Sequence, residues 1–153
     1  MSRLWLWLPV ALCAALIWSF SSTGFSSAHS SRIIIPLLRW LLPHAGPVVL
    51  DAIHLAIRKS AHLVEYFVLG LLLLRAVRGN GHGWNVRWAF IAVAIAAGYS
   101  GLDELHQIFA TDRGPSVWDS LLDTAGATLA QLAAWHWSKR EDQNISDVAT
   151  RPS

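Results

Sequence analysis

The sequence predicts an all-α membrane protein: a four-transmembrane-helix bundle with an interfacial or re-entrant segment between spans 1 and 2. Three observations predict it. Of 153 residues, 54% are hydrophobic and only 14% charged, which is too apolar for an ordinary soluble domain of this length. The apolar residues gather into long runs separated by basic or Pro/Gly-rich stretches. The 9 Trp fall mostly near the ends of those runs, as membrane-interface anchors do. One integral membrane domain is expected over 1–137, with spans near 4–20, 61–77, 88–104 and 117–137. Residues 138–153 are polar and are expected to form a disordered cytoplasmic tail. The formal charge of +2 is scattered, so no nucleic-acid partner is expected. The single Cys13 excludes an internal disulfide and argues against a thiolate metal site.

The first apolar run, 4–20, follows Arg3 and is near the short end of the roughly 17–25 residues that span a bilayer. Pro9 stands near its start, where a helix tolerates proline best. A cleaved signal peptide is the competing reading of residues 1–28: a basic start, an apolar core and Ser26-Ser27-Ala28 as a cleavage stretch. Trp5, Trp7 and Trp18 favour a retained helix. Residues 21–31 are Ser-rich, include Gly24 and read as a loop. The next run, 32–42, is too short to span, is flanked and interrupted by Arg32 and Arg39, and is split by Pro36. It therefore reads as interfacial or re-entrant.

Pro47 suits the first position of a helix, and the pattern runs from there to Val77 without a breaker. Its first part carries Asp51, His54, Arg58 and Lys59; residues 61–77 are the second span. A turn follows, with Arg78, Gly79, Asn80, Gly81, His82 and Gly83. Trp84 and Arg87 open the third span and Pro115 closes the loop after it. Lys139 and Arg140 end the fourth.

Lys and Arg set the orientation. Arg3, Arg75, Arg78, Arg87, Lys139 and Arg140 fall on one side of a four-span chain, and the positive-inside rule makes that side cytoplasmic. Arg32, Arg39, Arg58, Lys59 and Arg113 oppose this. They weigh less, because the first loop is long and two of them sit in the interfacial segment. The expected location is the cytoplasmic (inner) membrane, multi-pass, N-in and C-in.

Two polar clusters then face the extracytoplasmic side. Residues three or four apart share a helix face. Lys59, His62, Glu65 and Tyr66 follow that spacing where the chain enters span 2. Asp103, Glu104 and Gln107 leave span 3, Arg113 stands in the loop, and Asp119 and Asp123 enter span 4. Small residues on spans 3 and 4, among them Ala92, Ala96, Ser100, Ser120, Gly126 and Ala130, permit close helix approach. Ionisable groups at such depth are costly and usually face a partner or do a job. Each also has a plainer reading. Arg113 pairs with Asp103 or Asp119 to fix the loop, Lys59 snorkels, and Asp119 and Asp123 hold helices together. His54, His106 and His136 read as interfacial residues.

In order, Lys59-x2-His62-x2-Glu65-Tyr66-x2-Leu69-Gly70, Asp103-Glu104-x2-Gln107, Arg113, Asp119 and Gly126 resemble the VanZ-like family of small bacterial membrane proteins. Phe20-Ser21-Ser22 adds to the likeness, which covers roughly residues 18–130. The family pattern often has Asn where Asp123 stands and Gly where Ala130 stands. The family's namesake is associated with resistance to teicoplanin, a glycopeptide acting on cell-wall precursors. The resemblance therefore implies a cell-envelope role and no particular reaction.

Three functions compete. In the first, Lys59, His62, Glu65, Tyr66, Asp103, Glu104, Gln107, Arg113, Asp119 and Asp123 form an outward polar site. It binds or modulates a wall precursor, lipid headgroup or glycopeptide antibiotic. In the second, the chain is an acid/base enzyme on a lipid-linked substrate, with Glu65 or Asp103 as general base and His62 as acid or base. A divalent metal on Asp103, Glu104, Asp119 or Asp123 would suit such chemistry; no other cofactor is expected. No nucleophile motif or HExxH spacing supports an enzyme. In the third, the cluster is an assembly surface of an accessory subunit.

Overall fold

A computed structural model of the chain describes residues 4–21, 27–110 and 116–149. Among them are five helices: α1 (Leu4–Ser21), α2 (Ser27–Leu41), α3 (Pro47–Arg78), α4 (Val86–Ala110) and α5 (Val117–Ala149). The described residues contain no strand. Among the described residues, three stretches are long and apolar enough to cross a membrane: α1, α3 and Val86–His106 of α4. α5 is helical throughout the expected fourth span. It is less apolar than the other three, because Asp119, Ser120, Asp123, Thr124, Thr128 and Gln131 interrupt its run.

Local sequence explains the helix ends. α3 begins with Pro47 directly after Gly46, where the missing N–H costs nothing. It stops at Gly79, whose φ of +59° is accessible to glycine at little cost. The Gly79 N–H donates to the Arg75 carbonyl at 3.1 Å. Asn85 caps α4, its Oδ1 accepting from the Arg87 N–H at 2.8 Å. Ser116 caps α5, its Oγ accepting from the Asp119 N–H at 3.3 Å. Both are favoured N-cap residues.

Two expectations are corrected. Residues 27–31, read as loop, belong to α2, and Pro36 does not split that helix. Proline removes one backbone bond and crowds the preceding turn, but α2 is held against α3. Ser30 Oγ lies 3.1 Å from His54 Nε2 and Leu38 is buried. His54 is thereby a buried helix-to-helix link. Residues 138–149, expected to be disordered, continue α5. Their polar composition excludes a core, yet no Pro and no Gly after Gly126 interrupts the helix before Ala149.

α3 is the central element. It packs most extensively against α5 and also meets α4, α1 and α2. The core joins Val10 and Ile17 of α1, Tyr66, Leu69 and Leu73 of α3, Ala92 and Ala96 of α4 and Ala127 of α5. Small residues do permit close approach, but the tightest contact is between α3 and α5. A Cβ on Gly126 would stand 2.5 Å from the Leu63 carbonyl oxygen. A Cβ on Gly70 would stand 3.0 Å from Ala127 Cα and 3.0 Å from Ala130 Cβ. The outward faces carry exposed Leu12, Leu16, Val64, Val68, Phe90 and Leu129, an apolar jacket suited to lipid.

α1 is integrated by a specific bond as well as by packing. The Tyr99 hydroxyl donates to the Ala14 carbonyl at 2.6 Å, and the Trp18 and His106 rings stack at 4.0 Å. His106 is thus a ring partner of α1. Removing the phenol in Tyr99→Phe is expected to lower stability by about 0.5–1.5 kcal/mol, the usual net worth of one hydrogen bond. Thermal unfolding of the purified protein in detergent checks this, and a midpoint equal to the parent's would dismiss the bond.

Candidate functional site

The polar residues converge because three helices cross at one end of the bundle. α3 presents Lys59, His62, Glu65 and Tyr66 along one stripe. α4 brings Ser100, Asp103 and Glu104 near its C-terminal end. α5 brings Asp119, Ser120 and Asp123 in its first two turns. Part of the two expected clusters comes together: Lys59 and His62 of α3 face Asp119 and Asp123 of α5, and Asp103 of α4 lies near His62. The Ser100 hydroxyl donates to Asp123 Oδ2 at 2.8 Å and also lies 3.1 Å from Ser120 Oγ. The other carboxylate oxygen, Asp123 Oδ1, faces His62 Nδ1 at 3.5 Å. That is ion-pair distance, without the geometry of a hydrogen bond. Asp123 is 1% exposed, so these contacts replace water.

Around Asp123 the charges are close enough to act on one another. Asp103 and Asp123 lie within electrostatic reach of His62, Glu65 and Tyr66. Asp103 is buried. Tyr66 is fully buried, and its hydroxyl makes no hydrogen bond of good geometry, although Ser100 is its neighbour. A buried, unsatisfied phenol is uncommon and marks a place where a polar partner is accommodated. The mouth of the cluster is closed by Lys59, whose Nζ is 3.5 Å from Asp119 Oδ1. The lysine is nearly half exposed, so the pair is a weak tie. Beside it is a recess of about 10 Å³ lined by Leu55, Arg58, Lys59, His62, Asp119 and Leu122, room for about one water.

Glu104 stands apart. Its Oε2 accepts from the Ser116 N–H at 2.7 Å, which ties the start of α5 to the end of α4. A carboxylate there also suits the positive end of the helix dipole. The side chain of Gln107 and the whole of Arg113 lie outside the described residues. Among the described residues, no group of three or more His, Cys, Asp or Glu is arranged to hold a metal ion.

Sequence spacing missed Ser100, Ser116 and Gln131. Ser100 read as one small packing residue among several, but it lies on the same face as Asp103, three residues on, which was the available signal. Gln131 is buried, and its Nε2 donates to the Gly70 carbonyl at 3.0 Å. It continues the α5 stripe of Asp123 and Ala127 at four-residue spacing.

The order of groups is chemically informative. Asp123 lies between Ser100 and His62, so the imidazole is not placed to take a proton from the serine, as a Ser-His-Asp triad requires. The arrangement is a carboxylate-centred polar network with a lysine at its edge. No curated protein and no solved structure matches the chain. The family model described as VanZ/LLP1 matches residues 5–138, which takes in α1, the whole polar cluster and the apolar part of α5. The chain belongs to the VanZ/LLP1 family.

Proposed function

We propose that this chain is a four-span protein of the cytoplasmic membrane whose polar cluster faces outwards. There it binds or modulates a wall precursor, a lipid headgroup or a glycopeptide antibiotic. One observation carries the reading: α3, α4 and α5 bring half-buried His62 and Glu65 close to buried Tyr66, Asp103 and Asp123, beside a lysine that is nearly half exposed. Structural pairs alone leave the buried Tyr66 hydroxyl unexplained. Acids for an amine, and Lys59 for a carboxylate or phosphate, are the complementary groups such ligands carry.

The fourth span is α5. Its Asp123 and Gln131 are buried against α3 and α4, and polar groups within a membrane face the bundle interior in this way. α2 lies in the interface: it has 15 residues, or about 22 Å of helix, short of the roughly 30 Å hydrocarbon core. Arg75, Arg78, Arg87, Lys139 and Arg140 stand at the end opposite the cluster, which makes that end cytoplasmic.

A sensitive Gram-positive host expressing the chain is expected to gain protection from teicoplanin. Glu65→Gln and Asp103→Asn are expected to abolish that protection at unchanged membrane abundance. An abundant parent that gives no protection, or variants that protect equally, would sink the proposal. A second reading, acid/base catalysis on a lipid-linked substrate, is favoured by the Ser100–Asp123 bond. It predicts that Ser100→Ala removes protection as completely as Asp103→Asn does; the binding reading predicts retention of most of it.

A further inference from the structure

A second concavity runs along α3 and α5 from Phe67 towards the end of the bundle opposite the polar cluster. It has a volume of about 380 Å³, within the roughly 300–1,000 Å³ of small-molecule pockets. Its body is apolar, with Phe67, Leu71 and Leu74 of α3 facing Ala133, Ala134 and Trp137 of α5. Its head is not. Arg78 and Trp84 stand there on one side and Glu141 on the other. Arg78 Nη1 donates to the Gly83 carbonyl at 3.3 Å, but no ion pair joins it to Glu141. The Nε–H of Arg78 and the Nε1–H of Trp84 are shut away from water without an acceptor. Two sheltered donors with no acceptor are expensive, and both belong to residues that line the same cavity.

We propose that this groove holds a phospholipid with a primary-amine headgroup, phosphatidylethanolamine. One acyl chain lies along the apolar body, which is open to the lipid-facing side of α3 and α5. The phosphate meets Arg78, whose planar fork suits phosphate oxygens. The ammonium meets Glu141, which is exposed and able to turn to it. A cation and an anion at the head of one apolar groove match a headgroup carrying both charges. An anionic lipid satisfies only Arg78. A choline headgroup has no N–H to give Glu141. This site is separate from the outward cluster and does not depend on what that cluster binds.

The full chain, purified in detergent, is offered equal amounts of dioleoyl phosphatidylethanolamine, phosphatidylglycerol and phosphatidylcholine, and bound lipid is counted by native mass spectrometry. Phosphatidylethanolamine is expected to be retained about tenfold over phosphatidylcholine, as one or two charge-assisted hydrogen bonds allow. Glu141→Gln should erase its advantage over phosphatidylglycerol without loss of folded protein, since Glu141 is exposed. Arg78→Gln should weaken both lipids, and Ala134→Phe, which fills the groove, should exclude them. Arg39→Gln, a charge change on exposed α2, should leave the preference intact. Equal retention of the three lipids would overturn the proposal. So would a phosphatidylethanolamine preference that survives Glu141→Gln, or full competition by free phosphoethanolamine.

Discussion

Gly126→Ala is expected to lower membrane abundance several-fold and to depress the thermal midpoint, although it adds only one methyl group. In an open helix position the same change stabilises by about 0.5–1 kcal/mol, because alanine restricts the unfolded chain. At Gly126 the new Cβ would meet the Leu63 carbonyl oxygen at 2.5 Å and the Phe67 nitrogen at 3.3 Å. Both are backbone atoms of α3, so no side chain can turn aside and the helices must part. Overpacking of this kind costs about 1–3 kcal/mol, and a loss of 1–2 kcal/mol is enough to change abundance several-fold. Gly98→Ala is the control: a Cβ there meets nothing within 4 Å, so neutral or raised stability is expected. Thermal unfolding in detergent, with membrane abundance alongside, compares the two. Equal midpoints for both variants would mean that α3 and α5 do not touch at Gly126.

This contact also shows how far the sequence could be read. Gly126 and Gly70 were visible as small residues near polar ones, and the helices that hold them follow from Pro47, Gly79, Asn85 and Ser116. Which helix each glycine serves was not visible. Spacing along α5 places Gly126 on the face of Asp119 and Asp123 but does not say whether α3 or α4 lies against it. The polar cluster was legible for a different reason: carboxylates and an imidazole inside apolar runs need partners, and only their mutual meeting supplies them. Ser100 and Gln131 escaped notice because neutral polar residues carry no such demand at the level of sequence. Pro36 misled because a proline's local cost is fixed, whereas the packing that lets α2 tolerate it is tertiary. The helical continuation past Ser138 was hidden by composition, which reports the absence of a core rather than the backbone conformation.

Asp123 is where stability and function separate most cleanly. Asp123→Leu is expected to cost about 3–5 kcal/mol, the usual result of removing one member of a buried charged network. The Ser100 hydroxyl would keep only Ser120, and His62 Nδ1 would face hydrocarbon. Against a total of roughly 5–15 kcal/mol, that loss should remove most folded protein from the membrane. Asp123→Asn keeps the shape and an oxygen to accept from Ser100, so it should stay within about 1 kcal/mol of the parent, as ordinary conservative changes do. The pair therefore isolates charge. If the proposed site needs an anion at this position, Asp123→Asn loses the proposed teicoplanin protection at parental abundance. If it needs only a hydrogen-bonded frame, the amide serves, in keeping with the Asn that the VanZ-like pattern often carries here. A His62→Gln variant, alone and combined with Asp123→Asn, measures the coupling between the two residues. The 3.5 Å contact predicts that the second change costs less once the first is made. Additive losses would mean that His62 and Asp123 do not act as a pair, and the charge at Asp123 would then have to be explained by Ser100 and Tyr66 alone.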